Sequence, residues 1–220
     1  MHVILNPSLC AGGDLEIVNA ARRSFDTQHQ AMTDGDERLI RFLIDEGHWL
    51  PFRHPQLSFT CSAPIFVARQ LGKHQVGLSW SEVSRRYKTE GISFFFPDEI
   101  RGDHSNRKQG RGNPLSLVKQ DIAFAAIRLA YAVSFNLYLF LLWLGVTPEQ
   151  ARMVLPQGMN VYWTWTGSLM AWLHLVKQRT HKDAQAETEE FVRQILPFIA
   201  QRFPTTWAAL CQQNATIENS

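Results

Sequence analysis

The stretch Leu129 to Pro148, LAYAVSFNLYLFLLWLGVTP, contains no charged side chain and constrains the fold of this chain most. A run of that length and apolarity either spans a bilayer or forms a helix enclosed by protein on nearly every side. Ser134, Asn136, Tyr131 and Tyr138 lie within it, and Asp121 and Arg128 lie upstream on the same helical stretch. No Lys or Arg cluster flanks its far end, as an oriented span usually shows. The reading is a long core helix from Leu115 to about Leu144, enclosed in part by other subunits, with no membrane partner. Gly145 ends it.

The chain has 220 residues, 45% of them hydrophobic, which suits one well-buried domain over 1–220. A net charge of +2 gives no global field for nucleic acid, so basic residues matter only where they cluster. The three cysteines, Cys10, Cys61 and Cys211, are far apart and form no CxxC. A disulfide framework and a structural zinc site are not expected, and a reducing cytoplasmic setting is. Cys61 sits at an apolar alternation position and reads as a buried, inert thiol. The N-terminus MHVILNPSLC has neither the basic flank nor the apolar length of a signal peptide.

Periodicity predicts an α+β chain, mostly helical, with a small antiparallel or mixed sheet. Met1–Leu5 is a strand candidate. Asp14 is read as the cap of a helix through about Ala21, and Asp36 as the cap of a second one ending at Gly47. Gln56 to Ser62 alternates Leu57, Phe59 and Cys61 against polar residues, as a half-buried strand does. Pro64 is expected as first residue of a helix over 65–71, broken by Gly72. Residues 73–87 read as irregular, 92–96 as a strand, and 98–114 as an exposed loop. Thr147, Pro148 and Gln150 match a capping box before a short helix carrying Arg152. Helices are expected from about Gly167 to Lys177 and from about Asp183 to Arg202, the latter kinked at Pro197. The tail 212–220 is expected to fray.

The stretch Ala63 to Tyr87, APIFVARQLGKHQVGLSWSEVSRRY, gathers Arg69, Lys73, Arg85 and Arg86 around one carboxylate, Glu82. Bound phosphate would accept charge-assisted hydrogen bonds from such cations and hydroxyls. The run reads equally as a core helix followed by a solvated basic loop. The chain lacks G-x-G-x-x-G, a P-loop and G-x-S-x-G, and its eight histidines show no metal-ligand spacing. The cations, with Arg152 and Arg179, and the aromatics suit an anionic, planar ligand such as a nucleotide or flavin. They name no reaction.

Lys73-His74-Gln75, followed by Ser79, Ser81, Glu82, Ser84, Arg86 and Tyr87, resembles the signature of the flavin-dependent thymidylate synthases, R-H-R and then S-x-N-E-x-S-x-R-Y. Blocks at 19–26, 47–54, 63–70, 151–156, 163–169 and 183–187 resemble family blocks in family order, so the likeness covers roughly residues 14 to 210. It implies a homotetramer with FAD at subunit contacts. It implies conversion of dUMP to dTMP, with methylenetetrahydrofolate as carbon donor and NADPH reducing the flavin. By resemblance, Arg69, Gln70, Leu71, Gly72, Lys73, Glu82, Val83, Ser84, Arg85, Arg86, Arg152 and Arg179 would hold the nucleotide. Arg152 and Arg179 would reach it from a neighbouring subunit. Ser24, Lys73, His74, Gln75, Glu82, Ser168, Met170 and His174 would hold the flavin, with His48 and Tyr87 near flavin and folate.

Arg179 is the candidate to stabilise the pyrimidine N3 anion, because a guanidinium stays charged under all conditions. Ser84 reads as a phosphate ligand; as a nucleophile it lacks an evident base.

The chain departs from the family pattern at Lys73, Gln75 and Ser81, and by one extra residue between His74 and Ser84. Leu50 and Arg53 also stand where many members have Thr and Glu. These departures touch the pocket, so dCMP is the alternative substrate. A binding-only flavin or nucleotide relative is the second alternative.

Overall fold

The computed structural model describes residues 1–103, 112–181 and 183–218, the last five as backbone only. Four strands, β1 (His2–Leu5), β2 (Gln56–Pro64), β3 (Leu78–Glu82) and β4 (Asn160–Ser168), form an antiparallel sheet in the order β1-β2-β4-β3. The described helices are α1 (Asp14–Arg22), α2 (Asp34–Asp45), α3 (Ile65–Leu71), α4 (Leu117–Trp143), α5 (Pro148–Ala151), α6 (Leu169–Arg179), α7 (Ala186–Arg193), α8 (Leu196–Arg202) and α9 (Pro204–Glu218).

Register decides which side of the sheet is buried. Phe59 and Trp80 both lie opposite Trp165, and Cys61 lies opposite Trp163. These residues and Leu57 therefore share one face, and the helical layer covers it. Leu57, Phe59 and Cys61 are fully buried. Burial also pushes the Cys61 thiol far above its ordinary value, in keeping with an inert core cysteine. Trp172 of α6 meets Phe59 edge-on at 4.9 Å and donates from Nε1 to the carbonyls of Leu57 and Gly167, at 3.2 and 3.1 Å. Gly167 has to be glycine, because a Cβ there would lie 2.4 Å from Leu78 and 2.6 Å from the Gly77 carbonyl.

The opposite face of β2 is more covered than a half-buried strand predicts. β2 lies inside the sheet, and Ser58 and Ser62 are buried. Their neighbourhood is satisfied by Ser58–Thr166 and Thr60–Asn6 hydrogen bonds of 2.7 and 2.9 Å.

Several predicted boundaries shift, each for a local reason. Asp14 does not cap its own helix. It accepts from Thr205 N (2.8 Å), Thr206 N (3.2 Å) and Thr206 Oγ1 (2.6 Å), and so caps α9. Thr33, not Asp36, is the N-cap of α2, and Asp36 reaches back to the Thr33 amide at 3.1 Å. Pro64 is the extended N-cap of α3 and not its first residue. Thr147 is the N-cap of α5, with no side-chain cap bond.

Residues 78–82 form β3 within the segment expected to be irregular, while 92–96 makes only an isolated bridge from Phe94 to Met159. Gly167 belongs to β4, and α6 starts after Ser168, whose Oγ accepts from Ala171 N. The expected single helix over 183–202 is two, because Pro197 lies in the first turn of α8. Residues 212–218, expected to fray, continue α9. Of the loop expected over 98–114, residues 104–111 lie outside the described residues.

The largest correction concerns α4. Only Tyr138 of its 27 residues is buried. Leu129, Val133, Phe140 and Trp143 stand at least half exposed. In its own chain α4 is not a core helix. Apolar composition alone reads the same for a core and for an uncovered face that needs a partner.

Candidate functional site

α3, β3 and the segment joining them build the site. Leu71 N-terminal to Gly72 is fully buried and anchors α3 in the core. The chain then leaves the helix at Gly72, and the His74 amide donates to the Leu71 carbonyl at 2.9 Å. Gly77 adopts a left-handed φ of 72°, and a Cβ there would lie 3.1 Å from Ala171, so glycine lets this turn pack against α6.

Two cavities meet along that turn. The smaller, about 460 Å³, lies between Trp49, Leu50 and Arg53 on one side and Ser168, Met170, Ala171, His174 and Gln178 on the other. The larger, about 1,100 Å³, is lined by Arg69, Trp80, Glu82, Ser84, Arg85, Arg152 and the apolar Ile65, Ala68, Leu155, Met159 and Val161. Lys73, His74, Gln75 and Leu78 line both. Among the described residues no carboxylate pairs with Arg69 or Lys73.

The junction is held by one short contact. Arg179 Nε donates to His74 Nε2 at 2.7 Å, and Arg179 Nη2 reaches the Gln70 carbonyl at 3.5 Å. Burial, then the charge of Arg179 and that of His174, pushes His74 from 6.5 down to about 4. The ring is therefore a neutral acceptor near pH 7. Burial also lowers Arg179 from its ordinary value. Gln70 itself is fixed by Gln185 and by Thr188 Oγ1, the latter at 3.0 Å.

The remaining predicted residues are spread more widely. Ser84 Oγ accepts from the Arg86 amide at 3.2 Å. Arg85 is buried, and its guanidinium donates to the carbonyls of Lys88, Glu90 and Gly91 at 3.3, 2.7 and 3.2 Å. Arg86 is exposed and lines neither cavity; it lies 3.1 Å from Glu149, with its guanidinium over the Tyr87 ring. Val83, Tyr87, Ser24 and His48 are exposed and line neither cavity. Arg152 lines the larger cavity of its own chain, and Arg179 touches its own chain's His74.

Sequence reasoning does not single out Trp49 or Gln178, whereas it marks the Trp80–Ser81 region as the place where a carbonyl and an amino group at position 4 of the base would be told apart. Trp80 had a signal: Leu78, Trp80 and Glu82 alternate with Ser79 and Ser81 inside the charged segment.

Two adjoining cavities share Lys73, His74, Gln75 and Leu78, and Arg69, Arg85 and Arg152 add to the larger one, so the arrangement can hold two ligands side by side and suits an anionic one in the larger cavity. The pattern of the family described as thymidylate synthase complementing protein matches residues 8–205. A flavin-dependent thymidylate synthase of Thermus thermophilus is 33% identical over 198 residues, 90% of this chain and 72% of that protein. One from Thermosipho melanesiensis is 31% identical over 203 residues, 92% of this chain and 88% of the relative. Among solved structures, the UMP/dUMP methylase PolB from Streptomyces cacaoi superimposes with TM-scores of 0.84 bound with 5-Br UMP and 0.85 bound with 5-Br dUMP, at 29% identity. Those alignments cover 94% and 96% of this chain, and 92% and 94% of the PolB chains.

The chain belongs to the flavin-dependent thymidylate synthase family, and it is an enzyme of that class.

Proposed function

We propose that this enzyme methylates dUMP to dTMP, with methylenetetrahydrofolate as carbon donor and FAD, reduced by NADPH, as hydride source. The observation that carries the reading is the hydrogen bond from Arg179 to neutral His74, the side chain that lines both cavities at their seam. A flavin in the smaller cavity and a nucleotide in the larger one would share that seam.

The donor set fits both ligands. Ser168, His174, Lys73 and Gln75 offer hydroxyl, imidazole, ammonium and amide groups to a flavin. Arg69, Arg152 and Ser84 offer cations and a hydroxyl to a phosphate. The flavin, when bound and reduced, supplies the hydride. The chain's own part is orientation and charge. Arg179 stabilises negative charge at pyrimidine N3 and so directs electron density to carbon 5. Leu78, Met159 and Val161 give the larger cavity an apolar stretch of wall. The uncovered apolar face of α4 supports assembly into the tetramer that the family resemblance implies. The three free thiols suit the cytoplasm.

Two further substrates belong to the same reading. The solved relative was captured with both 5-Br UMP and 5-Br dUMP, which favours testing the ribonucleotide beside the deoxyribonucleotide. Neutral cytosine presents an acceptor at N3 that Arg179 also suits, which keeps dCMP.

The test incubates the protein with FAD, NADPH, methylenetetrahydrofolate and dUMP, UMP or dCMP, followed by mass analysis of the nucleotides. The expected result is a 14 Da gain on dUMP, the mass of one methylene by elementary stoichiometry. Gain on dCMP alone overturns the dUMP assignment, and gain on UMP alone moves it to the ribonucleotide. Light scattering that finds a monomer overturns the tetramer.

A further inference from the structure

Trp80 packs at the edge of the core and also lines the larger cavity. Its indole lies flat on Trp163, with centroids 4.1 Å apart and planes 13° apart. Trp163 is 1% exposed and lies in turn on the buried ring of Phe191, at 5.5 Å and 20°. Three near-parallel rings thus run outward from the core. Trp80 is the last of them and lines the larger cavity, not the smaller one.

The ring has little freedom left. Trp165 meets it at a steep angle, with centroids 5.2 Å apart. Its Nε1 donates to Glu82 Oε2 at 3.2 Å. One face is therefore covered, one contact braces the ring, and the indole N–H is tied. The residue stays half-buried, and it lines the larger cavity. A fixed aromatic face that closes a stack of rings is a seat for another planar ring, because offset stacking adds to simple burial and the ordering cost is already met. The same cavity carries Arg69, Arg152 and Ser84, so the planar ring that enters belongs to a phosphorylated ligand.

We propose that Trp80 is the stacking platform for the base of a pyrimidine nucleoside monophosphate, and that it sets the plane of the base in the larger cavity, whose wall includes His74, the acceptor of Arg179. The proposal rests on the nucleotide reading above and adds a binding residue to it. Base stacking is tolerant of which base is present, so Trp80 supplies affinity for the ring while other groups discriminate between carbonyl and amino at position 4.

The experiment uses the full chain loaded with FAD and compares wild type with Trp80→Phe and Trp80→Leu. Calorimetry measures dUMP and, separately, 2-deoxyribose 5-phosphate, which lacks the base. Trp80→Leu is expected to weaken dUMP by about tenfold and leave the sugar phosphate within twofold, while Trp80→Phe keeps most of the affinity. Tryptophan emission of the wild type should be quenched more by 5-bromo-dUMP than by dUMP, and this excess should vanish in both variants. Equal losses for dUMP and the sugar phosphate, or no loss at all, overturn the platform while leaving the nucleotide reading intact. A wild type that binds no pyrimidine nucleotide overturns that reading, and the platform with it.

Discussion

His74→Ala and His74→Gln test the seam between the cavities directly. In the folded chain the His74 ring takes the one short hydrogen bond of Arg179, at 2.7 Å, and the second contact, to the Gln70 carbonyl, is long at 3.5 Å. Removing the ring therefore frees the guanidinium. A hydrogen bond to a charged group contributes about 1.5–3 kcal/mol. The site is partly open to water, so the lower end applies, and roughly 1.5 kcal/mol is about tenfold in rate. His74→Ala should lower kcat/KM for the nucleotide by about tenfold at saturating FAD. His74→Gln, whose side-chain carbonyl can accept, should recover most of it.

The pH behaviour follows from the same contact. The folded ring takes a proton only near pH 4, so kcat/KM should show no acid limb near 6.5 from this residue. The unfolded chain binds that proton near 6.5 and the folded chain does not. Folding stability therefore falls as pH drops from about 6.5 towards 4, and His74→Gln should flatten that part of the profile. Flavin content, read by absorbance, separates lost positioning from lost cofactor. An acid limb near 6.5 that disappears in His74→Gln, or equal damage from Ala and Gln at full flavin content, would refute the neutral-acceptor role.

Three other outcomes are expected. Arg179→Ala should leave the thermal transition unchanged and reduce turnover to background, and unchanged turnover would remove the N3 role. Asp36→Ala should destabilise by about 3–5 kcal/mol in urea unfolding, because it strips a fully buried carboxylate from Arg22 (2.7 Å), His29 (2.8 Å) and the Thr33 amide and hydroxyl. Burial alone would raise this carboxyl, but bonds from His29, Thr33 and Arg22 outweigh it and hold it well below 3.8. Its stabilisation is thus present above about pH 4 and lost as pH falls further. Gly167→Ala should cost about 1–3 kcal/mol and loosen β3, since its methyl group meets Leu78 and the Gly77 carbonyl; an unchanged midpoint of unfolding would contradict that packing.

The sequence made some of this legible and hid the rest for definable reasons. The inward face of β2 was readable because Leu57, Phe59 and Cys61 repeat with period two. β4 carried the same signal in Val161, Trp163 and Trp165, yet its aromatic density masked it. β3 was hidden because serines and a carboxylate surround Trp80, and an edge strand exposes most of its residues. Asp14 misled because a good N-cap residue can cap a helix far along the chain as readily as its own. Of the candidate site, the cations of 69–75 and Arg152 were legible by type and do gather in one place. The engagement of Arg85 by three carbonyls was not, because nothing in sequence tells which guanidinium the backbone claims.

Lys73, His74, Gln75 and Leu78 form a party wall: each presents to both chambers at once. Whatever settles on one side of such a wall alters the free energy of settling on the other, and by reciprocity the two influences are equal. A substitution there cannot retune one occupant in isolation. Lys73 and Gln75 are therefore best regarded as settings of a single coupling constant between two guests, and measuring each guest's affinity with and without the other would read that constant out.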